Sequence, residues 1–138
     1  MKLTPPRQSE TELHKSVARA LDMLLLPPAC FTCFPAGNVP LPPQFAAKLY
    51  LMGLKRGWPD FLVIHDGHVY GIELKAKGGA LSKTKMVRTK RGTLKLVEGQ
   101  SDVFPRLEAA GMRIAVCRSV DEVLAALQAW GVPLRRTS

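Results

Sequence analysis

Three side chains in one short stretch have the chemistry needed to hydrolyse a phosphodiester: Asp60, Glu73 and Lys75. Asp60 ends the run Gly57-Trp58-Pro59-Asp60, just before an apolar segment. Glu73 and Lys75 lie in Gly71-Ile72-Glu73-Leu74-Lys75, which closes a second apolar segment. Carboxylates are hard oxygen ligands of the kind Mg2+ or Mn2+ prefers, alongside waters and a phosphate oxygen. A metal held by Asp60 and Glu73 would polarise a phosphate and lower the pKa of a bound water. Lys75 would orient that water or offset charge in the transition state. The same residue types are also common at exposed strand positions, where Asp60 would merely start a strand after proline and the other two would be solvated. Spacing alone does not separate these readings.

The elements around these residues can bring them together. Phe61-Leu62-Val63-Ile64 and Val69 to Leu74 are strand-like runs joined across Asp66-Gly67, a dipeptide favoured in tight hairpin turns. A hairpin places the ends that carry Asp60 and Glu73 side by side, and alternation puts Glu73 and Lys75 on one face. Upstream, Ser9 to about Leu25 reads as a helix with Leu13, Val17, Ala20, Leu21 and Leu24 on one face, opened by a Ser9/Glu12 capping box. Pro27, Pro28, Pro35, Pro40, Pro42 and Pro43 predict an irregular segment, with Cys30 to Phe34 as a short strand. Gln44 to Leu54 reads as a second helix ended by Gly53 and Gly57.

Downstream, residues 75 to 97 contain basic but no acidic side chains, and Gly78-Gly79 and Arg91-Gly92 punctuate them, predicting a loop or a basic β-ribbon. A helix follows within about Gln100 to Ala110, its start limited by Pro105, whose ring is tolerated without a kink only in the first turn. Met112 to Cys117 reads as a strand. Ser119 and Glu122 form a second capping box for a helix from Val120 to Trp130. This order of helices and strands is that of an α/β layered domain.

At 138 residues and 46% hydrophobic, residues 1–138 are expected to form one domain. The formal net charge of +9, from 20 Lys+Arg against 11 Asp+Glu, favours polyanions, nucleic acid foremost. No apolar stretch is long enough to span a bilayer, Met23 to Leu26 being stopped by Pro27-Pro28, and the first residues lack the apolar segment of a secretory signal. The expectations are therefore no membrane partner, a cytoplasmic location and reduced thiols.

The Pro59-Asp60 and Glu73-Leu74-Lys75 pair resembles the PD-(D/E)XK nuclease motif. Gly57-Trp58-Pro59-Asp60, Gly71-Ile72-Glu73-Leu74-Lys75, Leu81-Ser82 and Gln100 are together similar to the stand-alone VRR-NUC domain of phage and bacterial proteins, over Glu10 to about Leu127. The resemblance implies a restriction-endonuclease-like fold: a three-layer core whose central mixed sheet is flanked by helices. It implies a magnesium- or manganese-dependent DNA endonuclease in which Asp60, Glu73 and the Leu74 main-chain carbonyl bind metal and Lys75 assists the attacking water. It further implies a homodimer acting on branched DNA such as four-way (Holliday) junctions, in a bacterial cell or phage-infected host.

The same resemblance implies a glutamate on the first helix and a glutamine before a later one. At about 100° per residue, Glu10 falls within about 60° of Leu13, Val17, Leu21 and Leu24, whereas Glu12 points away into its capping role. Glu10 is therefore the expected metal-site glutamate, and Gln100 the glutamine. The resemblance departs at one place: the related domains have Leu-Ser followed closely by the glutamine, whereas this chain inserts roughly fifteen residues between Leu81-Ser82 and Gln100. This insertion, at about 83–98, carries most of the basic run. Lys77, Lys83, Lys85, Arg88, Lys90, Arg91 and Lys95 are the expected DNA contacts, directed at phosphates rather than bases. A solvated loop is the plainer alternative.

Two other function classes remain. A noncatalytic DNA-binding protein would keep the fold and basic surface without cleavage. An RNA-binding module would need aromatic platforms, and aromatics are only 7% of the chain. Cys30-Phe31-Thr32-Cys33 lacks a second ligand pair for zinc, so its thiols are expected to be buried. His65 and His68 flank the turn at the far end of the hairpin from Asp60.

Overall fold

Turn chemistry and apolar alternation divide the chain where the sequence marks the boundaries. In the computed structural model, which describes residues 9–34 and 41–136, the order is α1 (Glu10–Leu24), β1 (Cys30–Cys33), α2 (Pro43–Leu51), β2 (Phe61–His65), β3 (His68–Leu74), β4 (Lys85–Arg88), β5 (Leu94–Val97), α3 (Gln100–Ala109), β6 (Arg113–Cys117) and α4 (Val120–Ala129). Part of the proline-rich segment, 35–40, lies outside the described residues. No helix among the described residues is long and apolar enough to cross a membrane.

The β2–β3 hairpin is the centre of the sheet. Asp66 and Gly67 both take positive φ, 49° and 75°, as a two-residue primed turn requires. Register runs from His65 opposite His68 to Phe61 opposite Ile72. β1 pairs antiparallel with β2, and β6 pairs parallel with β3, giving a mixed sheet of order β1-β2-β3-β6. The architecture is α/β: a four-stranded mixed sheet flanked by four helices.

Both faces of β3 are covered, so Tyr70 through Leu74 are all buried. On one face Leu13, Val17 and Leu21 of α1 and Val123 and Leu127 of α4 pack with Phe61, Val63, Tyr70, Ile72 and Leu74. Alternation turns Gly71 and Glu73 to the other face, which α3 covers with Val103 and Phe104 buried. The serine half of each capping box forms: Ser9 and Ser119 accept from the N–H groups of Glu12 and Glu122 at 3.1 Å each.

Three expectations change. The second helix stops at Leu51, three residues short of Leu54, and buries none of its residues. α3 begins at Gln100, so Pro105 sits inside it rather than in its first turn. The helix start is held there by hydrogen bonds to Ser82 and Thr84, a long-range anchor that outweighs the local preference. Cys30 and Cys33 are exposed and only Cys117 is buried, because β1 is an edge strand whose inward anchor is Phe31.

Gly71 is where the sheet admits the chain leading to Asp60. A Cβ there would lie 2.7 Å from Pro59 Cγ and 2.9 Å from Met112 Sδ. Gly71→Ala is expected to destabilise the fold by about 1–3 kcal/mol through overpacking, read as a lower urea midpoint. A midpoint equal to wild type would mean that Pro59 does not need this seat.

Candidate active site

One step beyond the Phe61–Ile72 pair, Asp60 falls opposite Glu73 at the open end of the hairpin. Asp60 Oδ2 accepts the Leu74 N–H at 2.7 Å, so a carboxylate takes the place of the next rung. Its main-chain carbonyl accepts from Phe34 N–H at 2.8 Å, tying the same residue to the end of β1. Local strand pairing therefore brings the two carboxylates together.

Glu73 is the buried acid of this arrangement, 3% exposed. One oxygen, Oε2, accepts from Gln100 Nε2 at 2.7 Å and faces Lys75 Nζ at 3.3 Å. The other, Oε1, is buried without a hydrogen-bond partner. Burial pushes the Glu73 carboxyl up to about 7, with the nearby Asp60 charge acting in the same direction, while Gln100 and Lys75 oppose the shift.

Gln100 is held from both sides. Its Oε1 accepts the Ser82 N–H at 3.2 Å, and its own N–H donates to Ser82 Oγ at 3.0 Å. Ser101 N–H reaches the Ser82 carbonyl and Gly99 N–H reaches Thr84 Oγ1, both at 3.0 Å. These contacts satisfy N–H groups at the start of α3 that no helical carbonyl can reach. A Cβ at Gly99 would collide with the Lys83 carbonyl carbon and approach the Ser82 oxygen to 2.6 Å. Glycine is what lets α3 begin against this segment.

Glu10 arrives from the first turn of α1 and accepts the Ala76 N–H through Oε1 at 3.2 Å. The loop carrying Ala76 is gripped by Arg118, which donates to the Ala76 carbonyl at 2.7 Å and the Gly79 carbonyl at 2.9 Å. Arg118 is itself set by α4, since Glu122 Oε2 accepts its N–H at 2.6 Å. Sequence reasoning missed Arg118, Ser82's grip on Gln100 and Thr84. Only Ser82 had a local signal, the Leu81-Ser82 pair.

Glu10, Asp60, Glu73, Lys75 and Gln100 all line one cleft of about 350 Å³. Of the expected DNA contacts, Lys83 and Lys85 line it too, whereas Lys77, Arg88, Lys90, Arg91 and Lys95 do not. The basic insertion is a β-ribbon: Lys85 opposes Val97 and Val87 opposes Lys95, so two lysines share the face that turns Lys85 and Val97 into the cleft. Arg88 folds back onto the Gly92 carbonyl at 3.0 Å. Phe34, Tyr50, Lys55, Arg56 and Trp58 also line it, and the motif reading did not single them out as a group.

A divalent cation fits this donor set in one respect and not in another. The orphan Glu73 Oε1 beside Asp60 is a buried oxygen lone pair that a hard cation would satisfy. Among the described residues, however, no group of three or more His, Cys, Asp or Glu side chains is placed to hold a metal ion. Mg2+ commonly binds through one or two carboxylates with waters and substrate phosphate completing its shell, so Asp60 and Glu73 are sufficient protein carboxylates.

The raised pKa of Glu73 has a sign that can be tested with chelator present. Glu73 ionises at its ordinary value near 4.5 when unfolded and at about 7 when folded, so the native state binds the extra proton between them. The stability this contributes is full below the lower value and lost as pH rises through the upper one. Glu73→Gln does not titrate, so relative to wild type it should gain about 2 kcal/mol between about pH 5 and about pH 8. Urea unfolding at both pH values reads this, and a difference that stays constant would contradict it.

Compared with known proteins, the chain matches no family model, no curated sequence and no solved structure.

Proposed function

We propose that this chain is a metal-dependent DNA endonuclease of the VRR-NUC type, with its α/β core arranged as in restriction-endonuclease-like proteins. The observation that carries the reading is the unpartnered Glu73 Oε1, buried beside Asp60 in a cleft whose rim bears Lys83 and Lys85. A carboxylate oxygen left without a donor costs stability, and a hard cation is a partner that would remove that cost.

Asp60, Glu73 and the Leu74 main-chain carbonyl would hold Mg2+ or Mn2+, with Glu10 at the edge of the set. When bound, the cation supplies charge stabilisation to the phosphate and lowers the pKa of water. Gln100 fixes the orientation of the Glu73 carboxylate through its 2.7 Å hydrogen bond. Lys75, with its side chain 13% exposed, reaches the cleft as a cation that opposes the upward shift of Glu73 and would offset negative charge on the substrate. Glu10 is oriented by the Ala76 N–H and adds a further acidic group beside them. The ribbon lysines would contact phosphates and so add affinity without reading sequence.

Branched DNA such as a four-way junction is the proposed substrate, with a homodimer presenting two clefts related by a two-fold axis. Asp60→Ala, Glu73→Ala and Lys75→Ala should each reduce magnesium-dependent cleavage at least about a hundredfold, while DNA affinity in chelator stays within about threefold of wild type. A panel of junction, flap, single-stranded and duplex DNAs checks this, and undiminished cutting by Asp60→Ala would sink the site. Binding without cleavage by wild type under any divalent metal would favour the noncatalytic reading. Separately, Lys85→Ala and Lys95→Ala should each lower the slope of log affinity against log salt by about 1; an unchanged slope would remove the ribbon from the DNA interface.

A further inference from the structure

One wall of the cleft is built of flat and cationic groups. Trp58 is half-buried and packs edge-to-face against Phe34, with ring centres 5.8 Å apart and planes at 74°. Along the same wall the Arg56 guanidinium lies 4.4 Å over the centre of the Tyr50 ring. Lys55 and Arg56 are exposed, so their charges face solvent at the cleft mouth. Two lysines at the start of the ribbon, Lys83 and Lys85, line the same cleft.

We propose that this wall is a subsite for one unstacked nucleotide, its base lying against Trp58 and its phosphates flanked by Lys55 and Arg56. The proposal rests on the endonuclease reading for its place beside Asp60 and Glu73, and it narrows the substrate to DNA with an unpaired nucleotide next to the scissile phosphate. Three features argue for it. The cleft, at about 350 Å³, is at the small end of pockets that enclose a single compact ligand, so a base pair still stacked in a duplex would not enter. Trp58 is only half-buried and lines the cleft, so part of its indole is accessible there to a base. Aromatic faces interleaved with cations are how sequence-tolerant single-strand sites bind, and a floor of carboxylates alone would repel the phosphates that these cations attract.

Binding is measured in chelator, so that cleavage plays no part, with a fluorescein-labelled oligothymidylate and a fully paired duplex of the same length. Trp58→Ala is expected to weaken single-strand binding about tenfold, the loss of one base–aromatic stack, and duplex binding less than about twofold. Trp58→Phe keeps a ring and should restore most of the single-strand affinity. In a Trp130→Phe protein, where Trp58 is the remaining tryptophan, unlabelled oligothymidylate should quench the emission and duplex should not.

Equal losses on the two DNAs, or no loss on the single strand, would overturn the subsite. If Trp58→Ala does not fold, judged by circular dichroism, the quenching experiment decides, and unquenched emission overturns the proposal. Preferential single-strand stacking in a protein that never cuts would retain the subsite and remove the endonuclease reading. Cleavage of single strands and duplex by Trp58→Ala at wild-type rates, with unchanged single-strand affinity, would do the reverse.

Discussion

One buried carboxylate organises the functional half of this molecule. Glu73 sits on the most enclosed strand of the sheet, 3% exposed, where an ionised acid is costly unless partners surround it. Gln100 and Lys75 both address a single oxygen, and the second oxygen is left bare. Much of the surrounding architecture follows from supplying the first set of partners while leaving the second place open.

Gln100 reaches Glu73 only because α3 starts where it does. That start is fixed by Ser82 and Thr84, the residues that also lead into the ribbon, and by the absence of a side chain at Gly99. The ribbon and the acid are therefore coupled through one short junction. An isolated two-stranded hairpin is marginal in water, and this one is anchored by the same contacts that hold the glutamine. On the far side, Arg118 clamps the loop after β3 and Glu10 takes its amide, so α1 and α4 both bear on the position of Lys75.

The aromatic wall is assembled differently. Phe34 at the end of β1 and Trp58 before β2 meet by ring packing, and Arg56 lies over the ring of Tyr50 from α2. Gly71 makes room for Pro59 beneath this wall, so the sheet surface that seats the proline also sets where Trp58 and Asp60 emerge. Acidic floor, cationic rims and aromatic wall thus share one foundation in the β2–β3 hairpin.

Much of that hairpin was legible in the sequence because its determinants are local. Asp66-Gly67 sets the turn, alternation sets the faces, and together they oblige Asp60 to meet Glu73; the two serine N-caps were legible for the same reason. Helical phase placed Glu10 on the inward side, and basic composition marked the ribbon. Tertiary structure decided what depends on distant partners: that Gln100 bonds a residue 27 positions away, that Glu10 bonds one 66 positions away, and that Arg118 clamps a loop it never neighbours in sequence. It also decided against two local expectations, keeping Pro105 inside α3 and exposing Cys30 and Cys33. Local rules act through adjacent backbone geometry, whereas these outcomes arise from how helices and loops pack across the sheet, which no short window of residues encodes.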